Sequence, residues 1–120
     1  MQTPLQITIR HMASSPALTA CIHDEVEKLS AHFPDIVSCR AVVEQRDRHK
    51  HQGRSFSVHV TLGVPGEELA VNHDHDEDVY VAVRDAFASL TRQLQDFTRR
   101  RQDAARRRAP KSTTDSIAGA

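Results

Sequence analysis

An α+β domain with the order β-α-β-β-β-α, a four-stranded sheet with two helices packed on one face, is the fold this sequence predicts. Three patterns predict it. Four segments alternate apolar and polar residues, two others repeat apolar residues every three or four positions, and turn or breaker residues separate them. Each strand then carries one apolar face and each helix one apolar stripe, so the economical way to bury them all is to lay both helices over the same side of the sheet.

The elements follow in chain order. Leu5, Ile7 and Ile9 alternate with Gln6, Thr8 and Arg10, the period of a half-buried strand. Ser14-Ser15-Pro16 supplies a helix start, a Ser cap followed by Pro in the first turn. Leu18, Ile22, Val26, Leu29 and Phe33 form one helical stripe, and Pro34 stops it. From Ile36 to Gln45 the period returns to two, with Val37, Cys39, Ala41 and Val43 on the inner face and Ser38, Arg40 and Glu44 on the outer. Arg46 to Gly53 is a polar, His-containing loop. Phe56, Val58, Val60 and Leu62 mark a third strand, Gly63-Val64-Pro65-Gly66 a turn, and Glu67 to Val71 a short fourth strand. Asn72 to Asp78 reads as an acidic loop suited to the positive end of the next helix. Val79, Val83, Phe87, Leu90, Leu94 and Phe97 give the second long stripe. Thr8, Arg40, Glu44, Ser57, His59 and Thr61 would form a wet outer sheet face.

Beyond Phe97 the apolar positions stop. Residues 1–98 are therefore predicted to form the α/β body, and 99–120 a basic tail that starts as an exposed, Arg-studded helix and ends disordered from Lys111. The chain has 120 residues, 38% of them hydrophobic and only five aromatic, enough for a single small core. No apolar run approaches the roughly 20 residues that span a bilayer. The N-terminus lacks the charged and apolar regions of a signal peptide, so a soluble, cytoplasmic protein is expected.

Charge is distributed unevenly. Lys and Arg balance Asp and Glu at 16 each, yet Thr98–Ala120 holds seven basic residues against two acidic, a net of +5 that leaves −5 on the rest. A basic arm on an acidic body points to a polyanion partner, because arginines gain most where they displace counter-ions from phosphates. Lys28, Arg92, Arg99, Arg100 and Arg101 are the candidate nucleic-acid contacts. Arg92 lies two positions from core-facing Leu90 and Leu94, so it projects from the flank of the second helix, and the triplet extends that flank. Lys28, beside core-facing Leu29, reaches the same edge if the helices lie side by side. Basic residues also stabilise a helix C-terminus, which accounts for one or two of these but not for six arginines between Arg99 and Arg108. Guanidinium groups hold phosphates bidentately and stack on exposed bases, a chemistry suited to RNA.

Other chemistry is sparse. His73 and His75, in Asn72-His73-Asp74-His75-Asp76-Glu77-Asp78, point the same way in an extended segment, and His49-Lys50-His51 adds two more imidazoles. A closed metal site usually needs four well-placed ligands, so no metal and no cofactor is expected. Cys21 and Cys39 lie beside or on apolar faces and read as inert buried thiols. The chain has no Gly-rich phosphate loop, nucleophile elbow or His-Glu-x-x-His pattern. No catalytic residue, enzyme activity or small-molecule substrate is predicted.

Asp78-Val79-Tyr80-Val81-Ala82-Val83 and Leu90-Thr91-Arg92-Gln93-Leu94 resemble the Asp-x-Tyr-x-Ala-Ile and Leu-x-Arg-Gln-Leu stretches of the small bacterial ribosome hibernation-promoting factors and ribosome-associated translation inhibitors. The first helix, with Leu18, Glu27-Lys28-Leu29 and Phe33, is similar too, and the likeness spans about residues 4 to 100. The resemblance implies binding to the small ribosomal subunit in the channel of messenger and transfer RNA. Basic residues of both helices would face ribosomal RNA, and translation would be blocked under stress. Lys28 and Arg92 match basic family positions, and Tyr80 matches the motif tyrosine, expected as a packing residue. The chain departs from the pattern at Ser89, where family members usually carry Lys, at Gln95-Asp96-Phe97-Thr98 in place of a Lys-rich stretch, and at Asp24-Glu25. It looks like a short, divergent member without an appended cold-shock or dimerisation domain. Two other readings remain open: a protein-interaction module whose acidic body docks on a basic partner, and a metal-responsive sensor using His73 and His75.

Overall fold

The structure, a computed structural model, describes the backbone of residues 4–47 and 54–119, and the side chains among these except residues 47, 54, 75 and 107–119. Residues 48–53, most of the expected His-containing loop, lie outside the described residues. So do the side chains from 107 on, where the expected loose end falls.

The element order is the predicted one: β1 (Leu5–Arg10), α1 (Pro16–His32), β2 (Ser38–Asp47), β3 (Arg54–Val64), β4 (Glu67–Asp76) and α2 (Val79–Gly119). The strands form one sheet in the order β1-β2-β3-β4. β1 runs parallel to β2 through the α1 crossover, and β2–β3 and β3–β4 are antiparallel. A mixed sheet results, with α2 lying over β3 and β4 and α1 beside α2 and β1.

The stripes read from the sequence are the core. Leu18, Ile22, Val26 and Leu29 of α1 meet Val83, Phe87, Leu90, Leu94 and Phe97 of α2 and the inner faces of β2 and β3, all nearly inaccessible. Ala82 and Ala86 are buried as completely as any of them. Their small side chains let the α2 backbone approach the sheet, a contribution that an apolar-period count passes over.

Both helix starts are capped by side chains. Ser15 Oγ accepts the Leu18 amide at 3.3 Å. Asp78 Oδ1 accepts the amides of Tyr80 at 2.8 Å and Val81 at 3.3 Å, and its carboxylate faces the positive end of α2. Asp78→Ala is expected to cost about 1 kcal/mol of stability, measured by urea unfolding. Asp78→Asn, which still accepts both amides, should retain most of it.

Four local expectations are corrected. β4 does not end at Val71: it continues to Asp76, with Asn72 opposite His59 and His73 opposite Val58, so the predicted acidic loop shrinks to Glu77-Asp78. Backbone pairing with β3 carries the strand through residues whose side chains are all polar. Val37 is 58% exposed rather than inward, and Ile36 takes the buried place, because β2 and its pleat begin only at Ser38. Tyr80 is 40% exposed and does not pack; it stands about 100° around the helix from Val79. The β3–β4 turn is only Pro65-Gly66, where Gly66 takes φ +85°. Gly63 belongs to β3 opposite Ser38, and a Cβ there would come within 2.6 Å of Ser38 Oγ.

Candidate nucleic-acid interface

Helix α2 presents its surface in three strips, fixed by a turn of about 100° per residue. One strip is the buried stripe. On one flank Gln93 Nε2 donates to the Ala70 carbonyl of β4 at 3.0 Å. Arg100 reaches Glu67 at the start of β4 on the same side, at 3.9 Å. The third strip faces solvent, opposite the core. It carries Arg84, Arg92, Arg99 and Arg106, all exposed, at spacings of eight, seven and seven residues, which keeps them within about 80° of arc.

The five sequence candidates therefore divide. Arg92 and Arg99 share the solvent ridge. Arg100 and Arg101 do not, since consecutive helical residues cannot share a face; the triplet fans around α2 rather than extending one flank. Arg101 turns to the other side, where its guanidinium donates to Asp35 Oδ2 at 3.0 Å and lies 5.6 Å from the Phe97 ring centroid. Arg99 pairs with Asp96 at 3.6 Å. Lys28 stands exposed on α1, 3.7 Å from Glu25. Arg92 makes no ion pair among the described residues and donates to Ser89 Oγ at 3.2 Å, so the Ser at the departed position orients the neighbouring guanidinium.

Arg84 and Arg106 were not among the candidates. The signal for them was present: the interval between Arg92 and Arg99 repeats to Arg106 and, with one residue more, back to Arg84. Reading clusters along the chain favours contiguous arginines and hides those that share a helix face.

The seam between the helices shows where Lys28 lies relative to α2. Burial raises the Cys21 thiol pKa and Glu25 and Asp24 add to the shift, while Arg84 and Lys28 oppose it. Both cations thus act on one point of the seam, which joins α1 to the basic ridge. Cys39 is buried, and desolvation pushes its thiol up to about 11. Cys21 is only half-buried, so the expected pair of buried thiols holds for Cys39 alone. At neutral pH iodoacetamide should modify Cys21 slowly and leave Cys39 intact until the protein unfolds, as read by peptide mass spectrometry.

The outer sheet face is polar, as expected. His59 bridges strands there: Nδ1–H donates to Asn72 Oδ1, and Nε2 accepts from Thr61 Oγ1 at 3.4 Å. This is a neutral imidazole held in one tautomer. Arg46 and His11 both reach Glu44.

His73 does not meet His75, whose side chain lies outside the described residues. The register shift between Phe56 and Val58 sets two β4 residues against one of β3 and brings His73 beside Asp76. His73 Nε2 lies 3.1 Å from Asp76 Oδ2 and 3.8 Å from Asp85 Oδ2 of α2. The Asp78 amide and His73 hold the Asp76 carboxyl below its usual range. One imidazole and two carboxylates are all that could hold a metal ion among the described residues, and an ion-paired histidine accounts for the same geometry. No helix among the described residues is long and apolar enough to cross a membrane.

Comparison with known proteins fits this geometry. The family model described as Sigma 54 modulation protein / S30EA ribosomal protein matches residues 5–102. Among solved structures, a ribosomal subunit interface protein from Coxiella burnetii is similar, with TM-score 0.67 and 18% identity over 80% of this chain and 98% of that one. The N-terminal domain of Thermus thermophilus Protein Y is similar with TM-score 0.60 and 18% identity over 81% and 99%. At such identities the likeness is one of fold. A comparison with curated proteins finds no match. The family match takes in all four strands, α1, and α2 through the arginine triplet, and on that extent the chain belongs to the Sigma 54 modulation protein / S30EA ribosomal protein family.

Proposed function

We propose that this protein is a non-enzymatic, cytoplasmic ribosome-associated factor that binds the small subunit through its ribosomal RNA and holds idle ribosomes out of translation under stress. The observation that carries the proposal is the solvent ridge of α2, Arg84, Arg92, Arg99 and Arg106, on a chain of this family. The Coxiella burnetii neighbour, described as a ribosomal subunit interface protein, supports the same partner. Lys28 adds a cation from α1, and the acidic remainder keeps the body from spreading non-specifically over RNA. No cofactor enters this function.

The physics is counter-ion release. Each guanidinium that meets a phosphate frees condensed cations, so about five such contacts make log K fall with log salt at a slope of about −3.5 to −4.5. Sedimentation of a native lysate through sucrose gradients at stepped salt tests this. The protein is expected to travel with small-subunit particles at low ionic strength and to leave them with that steepness. Migration at the top of the gradient at low salt overturns the proposal. Binding to a purified basic protein, with no salt-sensitive affinity for RNA, would support the interaction-module reading instead.

A further inference from the structure

Two arginines of the triplet are already engaged by the protein's own carboxylates, from opposite sides of the helix. Arg101 is held by Asp35, in the connection between α1 and β2, at 3.0 Å, and is additionally stacked against Phe97. Arg100 reaches Glu67, the first residue of β4, at 3.9 Å. Neither carboxylate belongs to α2, and neither is buried: Asp35 and Glu67 side chains are 63% and 40% exposed. An exposed carboxylate from another element does little for stability, yet here one meets each of the two arginines that leave the solvent ridge.

We infer that Asp35 and Glu67 act as a built-in electrostatic latch: internal counter-ions that hold Arg101 and Arg100 on the body and must be exchanged for phosphates when RNA binds. The inference rests on the phosphate-binding reading of α2 above. A guanidinium cannot make a close bidentate contact with a carboxylate and with a phosphate along the same edge, so the internal pair competes directly with the external one. The exchange also leaves a bare carboxylate near the incoming polyanion. The latch therefore lowers affinity for any polyanion and leaves the ridge arginines to make first contact. Only a ligand that also reaches the flanks of α2 draws out Arg100 and Arg101, so the latch favours a concave, phosphate-lined site over a single extended strand.

The test compares two charge-matched double variants of the full chain. Asp35→Asn with Glu67→Gln removes the latch. Asp24→Asn with Glu27→Gln removes the same charge from exposed positions of α1. Affinity is measured for small ribosomal subunits and, separately, for poly(U), a single-stranded phosphate polymer that needs no ribosomal site. The latch-free variant should bind poly(U) about three- to tenfold more tightly than the intact protein, two exposed pairs having been released. The charge-matched variant should gain less. The excess of the first over the second should persist at about 0.15 M salt, because contact pairs lie inside the roughly 8 Å screening length while a diffuse charge effect fades.

Equal gains in the two variants, or weaker binding by the latch-free variant, overturn the latch. If neither variant nor the intact protein binds ribosomal subunits but the poly(U) excess is present, the ribosomal proposal falls and the latch stands.

Discussion

Replacing Arg99, Arg100 and Arg101 together by Ala is expected to abolish co-sedimentation with ribosomal particles while leaving the melting temperature within a few degrees. Each lost phosphate contact removes about 0.7–0.9 from the salt slope, so at about 0.1 M salt three contacts are worth on the order of a hundredfold in affinity. The residual slope should fall to about −1.4 to −1.8, carried by the remaining contacts. Stability is insulated for two reasons. The three side chains are 71%, 64% and 49% exposed, and their ion pairs are surface pairs of small net worth. Ala is also the better helix former. The single variants should not be equal: Arg99, on the solvent ridge with Arg92, should account for more of the loss than Arg101, which is committed to Asp35 and Phe97. Undiminished co-sedimentation by the triple variant, or equal losses from the three single ones, would remove the triplet from the interface.

Much of this was legible in the sequence, because amphipathic period is a direct record of burial. Leu18, Ile22, Val26 and Leu29, then Val83, Phe87, Leu90 and Leu94, are found where the stripes put them. Illegible features are those decided by something other than hydrophobicity. β4 runs on through Asn72–Asp76 because β3 offers it hydrogen bonds, and no side-chain pattern reports that. Ala82 and Ala86 are core residues by virtue of being small. Val37 escapes the core because the backbone has not yet entered the pleat. The candidate site was half legible for a related reason. A run of arginines is conspicuous along the chain, yet a helix sorts residues by angle, so Arg99 joins Arg92 and Arg84 on one ridge while its two neighbours turn away to Glu67 and Asp35. The partners of those two come from segments 33 and 66 residues distant, a pairing that only the packed fold creates.

Phe87→Ala should have the opposite profile and the largest effect on stability. The Phe87 side chain is 2% exposed and is the largest of the fully buried ones, on the α2 stripe that faces the sheet. Truncation removes its transfer free energy and leaves a cavity that cannot close easily, since Val58 and Val60 stand on a hydrogen-bonded sheet and Val83 and Leu90 on the same rigid helix. The cost is about 3–5 kcal/mol, a large share of the about 5–15 kcal/mol that a domain of this kind has in total. The midpoint of thermal unfolding should fall by roughly 10–20 °C. Phe87→Leu, which refills most of the volume, should recover more than half of the loss. Arg84, Arg92 and Arg99 project from the far side of the same helix, so at a temperature well below the lowered midpoint the folded variant should bind RNA with an unchanged salt slope. The arginine triple variant should show the reverse: a full melting temperature and a collapsed slope. α2 would then hold the fold together with one face and meet RNA with the other, and only a variant that moved both quantities together would show the two faces to be coupled.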